Sequence, residues 1–274
     1  MGVGLAASIR RCCKKQWSKA SKAALLAVMS LTVLSACGPK APDDLRVGPE
    51  ANVIAVRDDA SLKLEDIGLA HLAALDFPHG ASAAVERLKP AALGRKVRLF
   101  FDGAERDLSG ALAGQIYVRD EAGRWRWLQR DLVESGLARV RPKFADRSGA
   151  EALLPFEAAA RTAKTGVWAD SALAVRPADA KALSADIGAF VLVEGKVVSV
   201  GRAAHRVFLN FGADYKTDFT VTIPEEAWSA WPGGAPYLLN LKDENVRVRG
   251  ILTQLNGPSL EAVTPAQIEA LGPG

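Results

Sequence analysis

The chain has 274 residues, with 35 Lys and Arg against 31 Asp and Glu, and only three Cys. Six of the bases and none of the acids lie before residue 38, so the remainder carries 29 bases and 31 acids, a net of −2. That balance excludes the broad basic footprint of a generic nucleic-acid binder.

Residues 1–37 read as a targeting segment. Arg10, Arg11, Lys14, Lys15, Lys19 and Lys22 precede an apolar run, Ala23–Ala36. That run is too short for a comfortable bilayer span of roughly 20 helical residues. It ends in Leu34-Ser35-Ala36-Cys37, which resembles the bacterial lipobox. The resemblance implies acylation of Cys37, anchorage in the bacterial envelope, and, with Gly38 next, an outer-membrane protein facing the periplasm. An ordinary secretory signal or a short anchor is the alternative. Cys12 and Cys13 leave with the signal and Cys37 carries lipid, so the mature fold has no disulfide.

Residues 38–50 hold three prolines and read as a tether. Val53–Val56 and Leu62–Leu64 are short strands, and Leu69–Leu75 is a third. Asp76-Phe77-Pro78-His79-Gly80 breaks the run, and a helix follows over Ala81–Lys89 with Ala84, Val85 and Leu88 on one face. Lys96–Phe101 and Gln115–Val118 are strands. Trp125 and Trp127 share a face in a hairpin, either packed under a helix or facing a partner. Helices follow over Leu128–Ser135 and Leu153–Thr165, closed by Gly136 and Gly166. Strands first and helices afterwards predict an α+β barrel with helices on one side.

Residues 170–186 are rich in Ala, Asp and Pro and read as a linker. Beyond them lie strands at Phe190–Val200, with a bulge at Gly195, Val207–Phe211, Phe219–Ile223, Val246–Leu252 and Ser259–Val263. One short helix, Glu225–Trp231, sits between the third and fourth. That order is that of an oligonucleotide/oligosaccharide-binding (OB) barrel. The predicted organisation is a signal at 1–37, a tether at 38–50, a barrel at 51–169, a linker at 170–186 and an OB-like domain at 187–271. The fold class is mainly β with α: two five-stranded OB-type barrels in tandem.

Several patches in order carry a resemblance over residues 53–169. They are Asp59-Ala60-Ser61-Leu62-Lys63-Leu64, His71–His79, Asp107–Ala111 before Ile116–Val118, Leu132–Val140, and Glu157 with Arg161, Lys164 and Gly166-Val167-Trp168. Together they resemble the staphylococcal thermonuclease-like family. Residues 190–271, on Asn210–Val221, Val246–Gly250 and Asn256-Gly257-Pro258, resemble the C-terminal OB-like module of proteobacterial thermonuclease-family proteins.

The family resemblance implies phosphodiester hydrolysis with Ca²⁺ on carboxylates, a carboxylate base and two arginines. Carried over by position, little of it remains. Ala60 stands at the first metal-binding aspartate, His71 and Ala111 at the two arginines, and His79 at the base; Asp76 alone keeps a metal position. The expectation is a degenerate barrel acting as a binding module for nucleic acid, protein or envelope polymer such as glycan, requiring no cofactor. A metal-dependent phosphodiesterase with an altered site is the competing reading, and a structural spacer a third. In the altered site, His71, Asp76 and His79 would hold Zn²⁺ or Mn²⁺ rather than Ca²⁺; otherwise they are polar residues on an unused rim. In the second domain, Phe208, Phe211 and Tyr215 with Arg247 and Arg249 are the candidate ligand-binding set, because bases stack on exposed aromatics beside cations. Alternation requires some of these aromatics to be core.

Overall fold

The computed structural model describes residues 44–143 and 147–272. The signal segment, Cys37 and the start of the tether lie outside the described residues. Among the described residues no helix is long and apolar enough to cross a membrane.

The first barrel begins at β1 (Arg46–Val56), inside the segment expected to be a tether, because Arg46 and Val47 already pair with Phe101 and Phe100. β2 (Leu62–Leu64) and β3 (Gly68–Leu72) follow, then the two-residue β4 (Leu75–Asp76). Helix α1 (Ser82–Ala92) runs past the predicted end at Lys89. Pro90 lies in its last turn, where it forfeits one i→i−4 hydrogen bond, and Ala92 carries the helix past it by extending the buried face of Ala84, Val85 and Leu88. β5 (Lys96–Phe101), β6 (Leu112–Arg119) and β7 (Trp125–Trp127) complete the sheet, in the order β3-β2-β1-β5-β6-β7. A parallel pairing of β3 with β6 closes it into a barrel. Alternation turns Val97, Leu99 and Phe101 into the core with Leu62, Leu64 and Ile116. Trp127 stacks on Tyr117 at 5.7 Å and meets Phe156 edge-on, so the tryptophan hairpin packs under a helix.

α2 (Leu128–Glu134), β8 (Arg139–Val140) and α3 (Arg147–Thr162) finish this half. α3 starts six residues before its expected Leu153. Pro155 looks like a starting point in the sequence, but Ala150, Leu153 and Glu157 bury one face on both sides of it and carry the helix through. Gly136 and Gly166 have positive φ and meet backbone to backbone, with Val167 N donating to Gly136 O at 2.8 Å. A Cβ on Gly136 would stand 2.1 Å from Thr165 O, so this junction needs glycine.

The segment read as a linker is structured. β9 (Arg176–Pro177) pairs with the next strand and α4 (Ala180–Leu183) buries Leu183 in the second core. Two of its aspartates, which suggested a loop, are caps: Asp170 Oδ1 accepts from Ala172 N and Asp179 Oδ1 from Ala182 N, each at 2.8 Å, while Asp186 pairs with Arg176.

β10 (Phe190–Lys196) and β11 (Ser199–Ala203) are one expected strand split in two. Val197 bonds toward Asp243 and Glu244, whereas Val198 bonds to Asn210, so the strand changes partner there rather than at Gly195. β12 (Arg206–Asn210), β13 (Thr220–Pro224), a 3-10 turn at Glu225–Ala230, α5 (Ala235–Leu239), β14 (Asn245–Leu255), β15 (Gly257–Glu261) and β16 (Ile268–Gly272) follow. The strand order β11-β12-β13-β15-β14-β10-β9, with β13 parallel to β15, repeats the topology of the first barrel. Both barrels therefore fit OB-type sheets, and α5 and β16 are additions that the sequence reading lacked.

The two barrels belong to one compact unit. Arg249 of β14 has 0% exposure and donates through Nη1 to Glu157 Oε2 of α3 at 2.6 Å and to Val140 O at 3.1 Å. Its Nη2 reaches Glu269 Oε1 at 2.5 Å. Arg249 and Arg247 are thus not surface ligand contacts. Arg247 pairs with Glu194 and Glu269, and Arg249 joins the barrels. Alternation places both opposite Val246 and Val248, but on that outer face Arg249 meets Glu157 of α3, and both arginines meet Glu269 of the neighbouring strand β16.

Removing one member of a buried ion pair leaves the other uncompensated, at a cost of about 3–5 kcal/mol. Arg249→Ala is expected to lower stability by that amount, with both barrels melting in one transition, in urea denaturation followed by tryptophan fluorescence. An unchanged midpoint would contradict the role given to this pair.

Candidate functional site

β3, β4 and the following loop carry the three residues expected to converge. The structure separates them. His71 Nδ1 lies 2.6 Å from Asp107 Oδ2, because the parallel β3–β6 pairing brings His71 beside the loop that leads into β6. His79 Nε2 lies 2.9 Å from Asp170 Oδ2, beyond the end of α3. Asp76 faces Arg139 across the β4–β8 pair: Arg139 donates to Asp76 Oδ2 from Nε at 3.1 Å and Nη2 at 2.7 Å. Arg141 Nη1 stands 3.6 Å from the other oxygen. The expected ligand set of Asp76 with His71 and His79 is therefore corrected. The turn between β3 and β4, with Ala74 at φ 62°, sends the three side chains to different partners.

The carboxylates paired with the histidines are held strongly ionised. Hydrogen bonds from the Ser109 hydroxyl, aided by His71 and by the Ser109 amide, bring Asp107 to about 2 against the opposing effect of burial. The Ala172 amide, then His79, lowers Asp170. Burial opposes ionisation of Asp59, but the Ser61 hydroxyl and amide outweigh it and lower the carboxyl. Asp59 is thus tied to its own turn. Ala60, at φ 62° and buried, and Ala111, also buried, bring no ligand.

The donor set does not fit a divalent cation. It offers one well-placed carboxylate, Asp76, already compensated by two guanidinium groups. Among the described residues no group of three or more His, Cys, Asp or Glu is disposed to hold a metal ion. The second barrel also closes on this side. Asp76, Arg139 and Arg141 line a cleft of about 350 Å³ with Ala189, Phe190 and Ile251. The Phe190 ring lies 5.1 Å from the Arg139 guanidinium and 5.6 Å from that of Arg141.

Residues 70–170 match the family described as staphylococcal nuclease homologue. This nuclease-like domain covers the strand of His71 through to Asp170; the Asp59–Leu64 turn and the whole second barrel lie outside the match. No curated protein matches the chain.

A larger cleft, of about 550 Å³, lies on the second barrel. Phe208 and Tyr215 line it as expected for exposed aromatics, with Asn210, Thr220, Thr222 and Asn256. Phe211 does not. It turns inward after β12 and packs on Phe219 at 4.9 Å between ring centres. Arg139 and Asp107 lie inside the quoted motifs without a role, and Arg141 lies one residue beyond them. Opposite charges at Asp76 and Arg139 were visible in the sequence, but their pairing needed the β4–β8 register.

Because Asp107 ionises below its ordinary 3.8, its contribution to stability is complete above that value and fades as pH falls toward about 2. Asp107→Asn removes the contribution. Thermal midpoints of variant and parent should differ near neutral pH and converge as the pH falls through that window. A difference independent of pH would exclude the ionised Asp107 carboxylate as its source.

Proposed function

We propose that the chain is a lipid-anchored, non-cleaving binding module of the bacterial envelope, set at the outer membrane and facing the periplasm. Its nuclease-like domain serves as the support for a ligand-binding second barrel. The observation that carries this reading is the internal compensation of Asp76 by Arg139 and Arg141. A carboxylate that holds a catalytic metal must be electrostatically available to it. Here two fixed cations occupy that role, and the positions of the base and of both phosphate-neutralising arginines hold His79, His71 and Ala111. Losing one transition-state donor commonly costs about 2–4 kcal/mol, so the combined losses leave little rate to measure, even though they do not add.

The altered-site phosphodiesterase needs Asp76 and both histidines to share one ion, and each has a separate protein partner. Spacing alone does not explain the open aromatic cleft on the second barrel. Anchorage rests on the Leu34–Cys37 sequence, because two or more acyl chains hold a protein to a bilayer stably.

Incubation of the purified chain with single- and double-stranded DNA and RNA in Ca²⁺, Mn²⁺ or Zn²⁺ is expected to give no metal-dependent cleavage. Cleavage that Asp76→Ala abolishes would replace this reading with the enzyme. For the anchor, growth with an alkyne-tagged fatty acid should label the parent and not Cys37→Ser; equal labelling of both would refute it.

A further inference from the structure

The second barrel buries its core in the usual way. Val207, Leu209, Val221 and Ile223 are fully buried, which turns Phe208, Asn210, Thr220 and Thr222 to the outer face. The register aligns these into two rows. One runs Gly201, Phe208, Thr222, Glu261; the other runs Ser199, Asn210, Thr220, Ser259. An outer sheet face ordinarily carries long charged side chains. Here those are confined to the paired Arg206 and Glu261 at one edge, and the rest is Phe208 with small hydroxyls and an amide, joined by hydrogen bonds from Asn210 Nδ2 to Ser199 Oγ at 3.1 Å and from Thr220 Oγ1 to Asn210 Oδ1 at 3.3 Å.

The face is a trough rather than a plain. Tyr215, 60% exposed, rises on the β12–β13 loop, and Leu255, 64% exposed, rises with Asn256 at the β14–β15 turn. Thr220, Thr222 and Ser259 lie almost covered between them. Opposite Phe208 stands Gly201, and a Cβ there would meet nothing within 4 Å. The strand neighbour therefore leaves the Phe208 ring uncovered on that side. The trough's volume of about 550 Å³ is that of a small-ligand site.

Three of its polar side chains are also free. Among the described residues, the side chains of Tyr215, Thr222 and Asn256 have no hydrogen-bond partner. Arg202 pairs with the buried Val207, so its side chain leaves the sheet on the face opposite Phe208, and its guanidinium lies over the Trp228 ring at 4.4 Å. The lining holds no carboxylate, and one cation stands at its rim, Lys216, with Nζ 6.0 Å from the centre of the Tyr215 ring. Arg206, the next cation on β12, is already paired with Glu261 at 2.5 Å. Single strands of nucleic acid are bound by a groove of cations that follows the backbone, with an affinity dominated by phosphate contacts. That electrostatic track is missing. What remains is two ring faces and a set of amide and hydroxyl groups.

We infer that this trough binds a chain of neutral, N-acetylated sugars. The C–H face of a pyranose packs on Phe208 and Tyr215, while its hydroxyls meet Thr222 and the Tyr215 phenol. An acetamido group adds a methyl for Leu255 and an amide for Asn256. The inference rests on the binding-module reading and names the polymer class for it.

The test is titration of the full chain in detergent micelles with chitotetraose and, separately, with a thymidine oligonucleotide, by calorimetry at low and high salt. Saturable chitotetraose binding is expected, insensitive to salt and weakened at least tenfold by Tyr215→Ala and by Phe208→Ala. Tyr215 is on an exposed loop, so its variant should keep the parent's thermal midpoint even if the Phe208 variant does not. Thr222→Val should weaken binding several-fold. Absence of chitotetraose binding overturns the inference, as does binding that Tyr215→Ala leaves intact. Salt-sensitive oligonucleotide binding lost in Lys216→Ala, without sugar binding, would assign the trough to nucleic acid instead. None of these outcomes produces metal-dependent cleavage, which alone removes the reading beneath.

Discussion

A guanidinium with no solvent contact is tolerable only where its charge is met on several sides, because the effective penalty for burying an ion is several kcal/mol. Arg249 meets that condition with groups from both halves of the molecule. Glu157 and the Val140 carbonyl come from the nuclease-like domain, and Glu269 comes from the second barrel. Burial alone would favour losing the proton, yet the two carboxylates outweigh it and keep the guanidinium more firmly charged than usual. Neither barrel can withdraw without stranding a charge. Apolar contacts, Ala266 among Val133, Val140 and Leu153, and Leu192 against Trp168, cover the remainder of the junction.

The same pair reaches into the candidate site. Glu157 spends its second oxygen on the Val140 amide at 2.7 Å. Val140 is the neighbour of Arg139 on β8, and β8 is the strand that delivers Arg139 to Asp76. The junction of the barrels and the compensation of Asp76 thus depend on consecutive residues of one short strand. Phe190, at the start of β10, then lies against both Arg139 and Arg141. Docking of the second barrel and occupation of Asp76 by internal cations are physically one arrangement.

Much of the barrel architecture was legible because strands announce themselves by period-two burial: Lys96–Phe101 was read with its observed limits. The segment between the barrels was not legible, because two of its aspartates cap short helical turns while its composition resembles a loop. Arg247 and Arg249 show the harder limit. Alternation correctly separates them from Val246 and Val248, but no local pattern reveals whether the outward face meets water or another domain. The spacing of His71, Asp76 and His79 suggested convergence for a similar reason. Nine residues of sequence do not disclose that β3 and β4 are separate strands paired with β6 and β8. The family motifs located the altered positions, whereas their new partners, Asp107, Asp170 and Arg139, became apparent only through sheet register.

The order of strands in the second barrel gives the two domains distinct tasks. The strands that meet the nuclease-like domain, β10 and β14, lie toward one end of the sheet path, and β11, β12 and β13 lie at the other. The docked strands carry the charged residues Arg247 and Arg249, which are consumed by internal pairs. The outer face of the remaining strands carries Phe208 and small neutral side chains, with its charged residues, Arg206 and Glu261, paired to each other at the edge. A face whose charges are internally paired and whose centre is neutral is suited to an uncharged partner. The two domains are thus joined through Arg249 and its carboxylates rather than through the connecting segment alone.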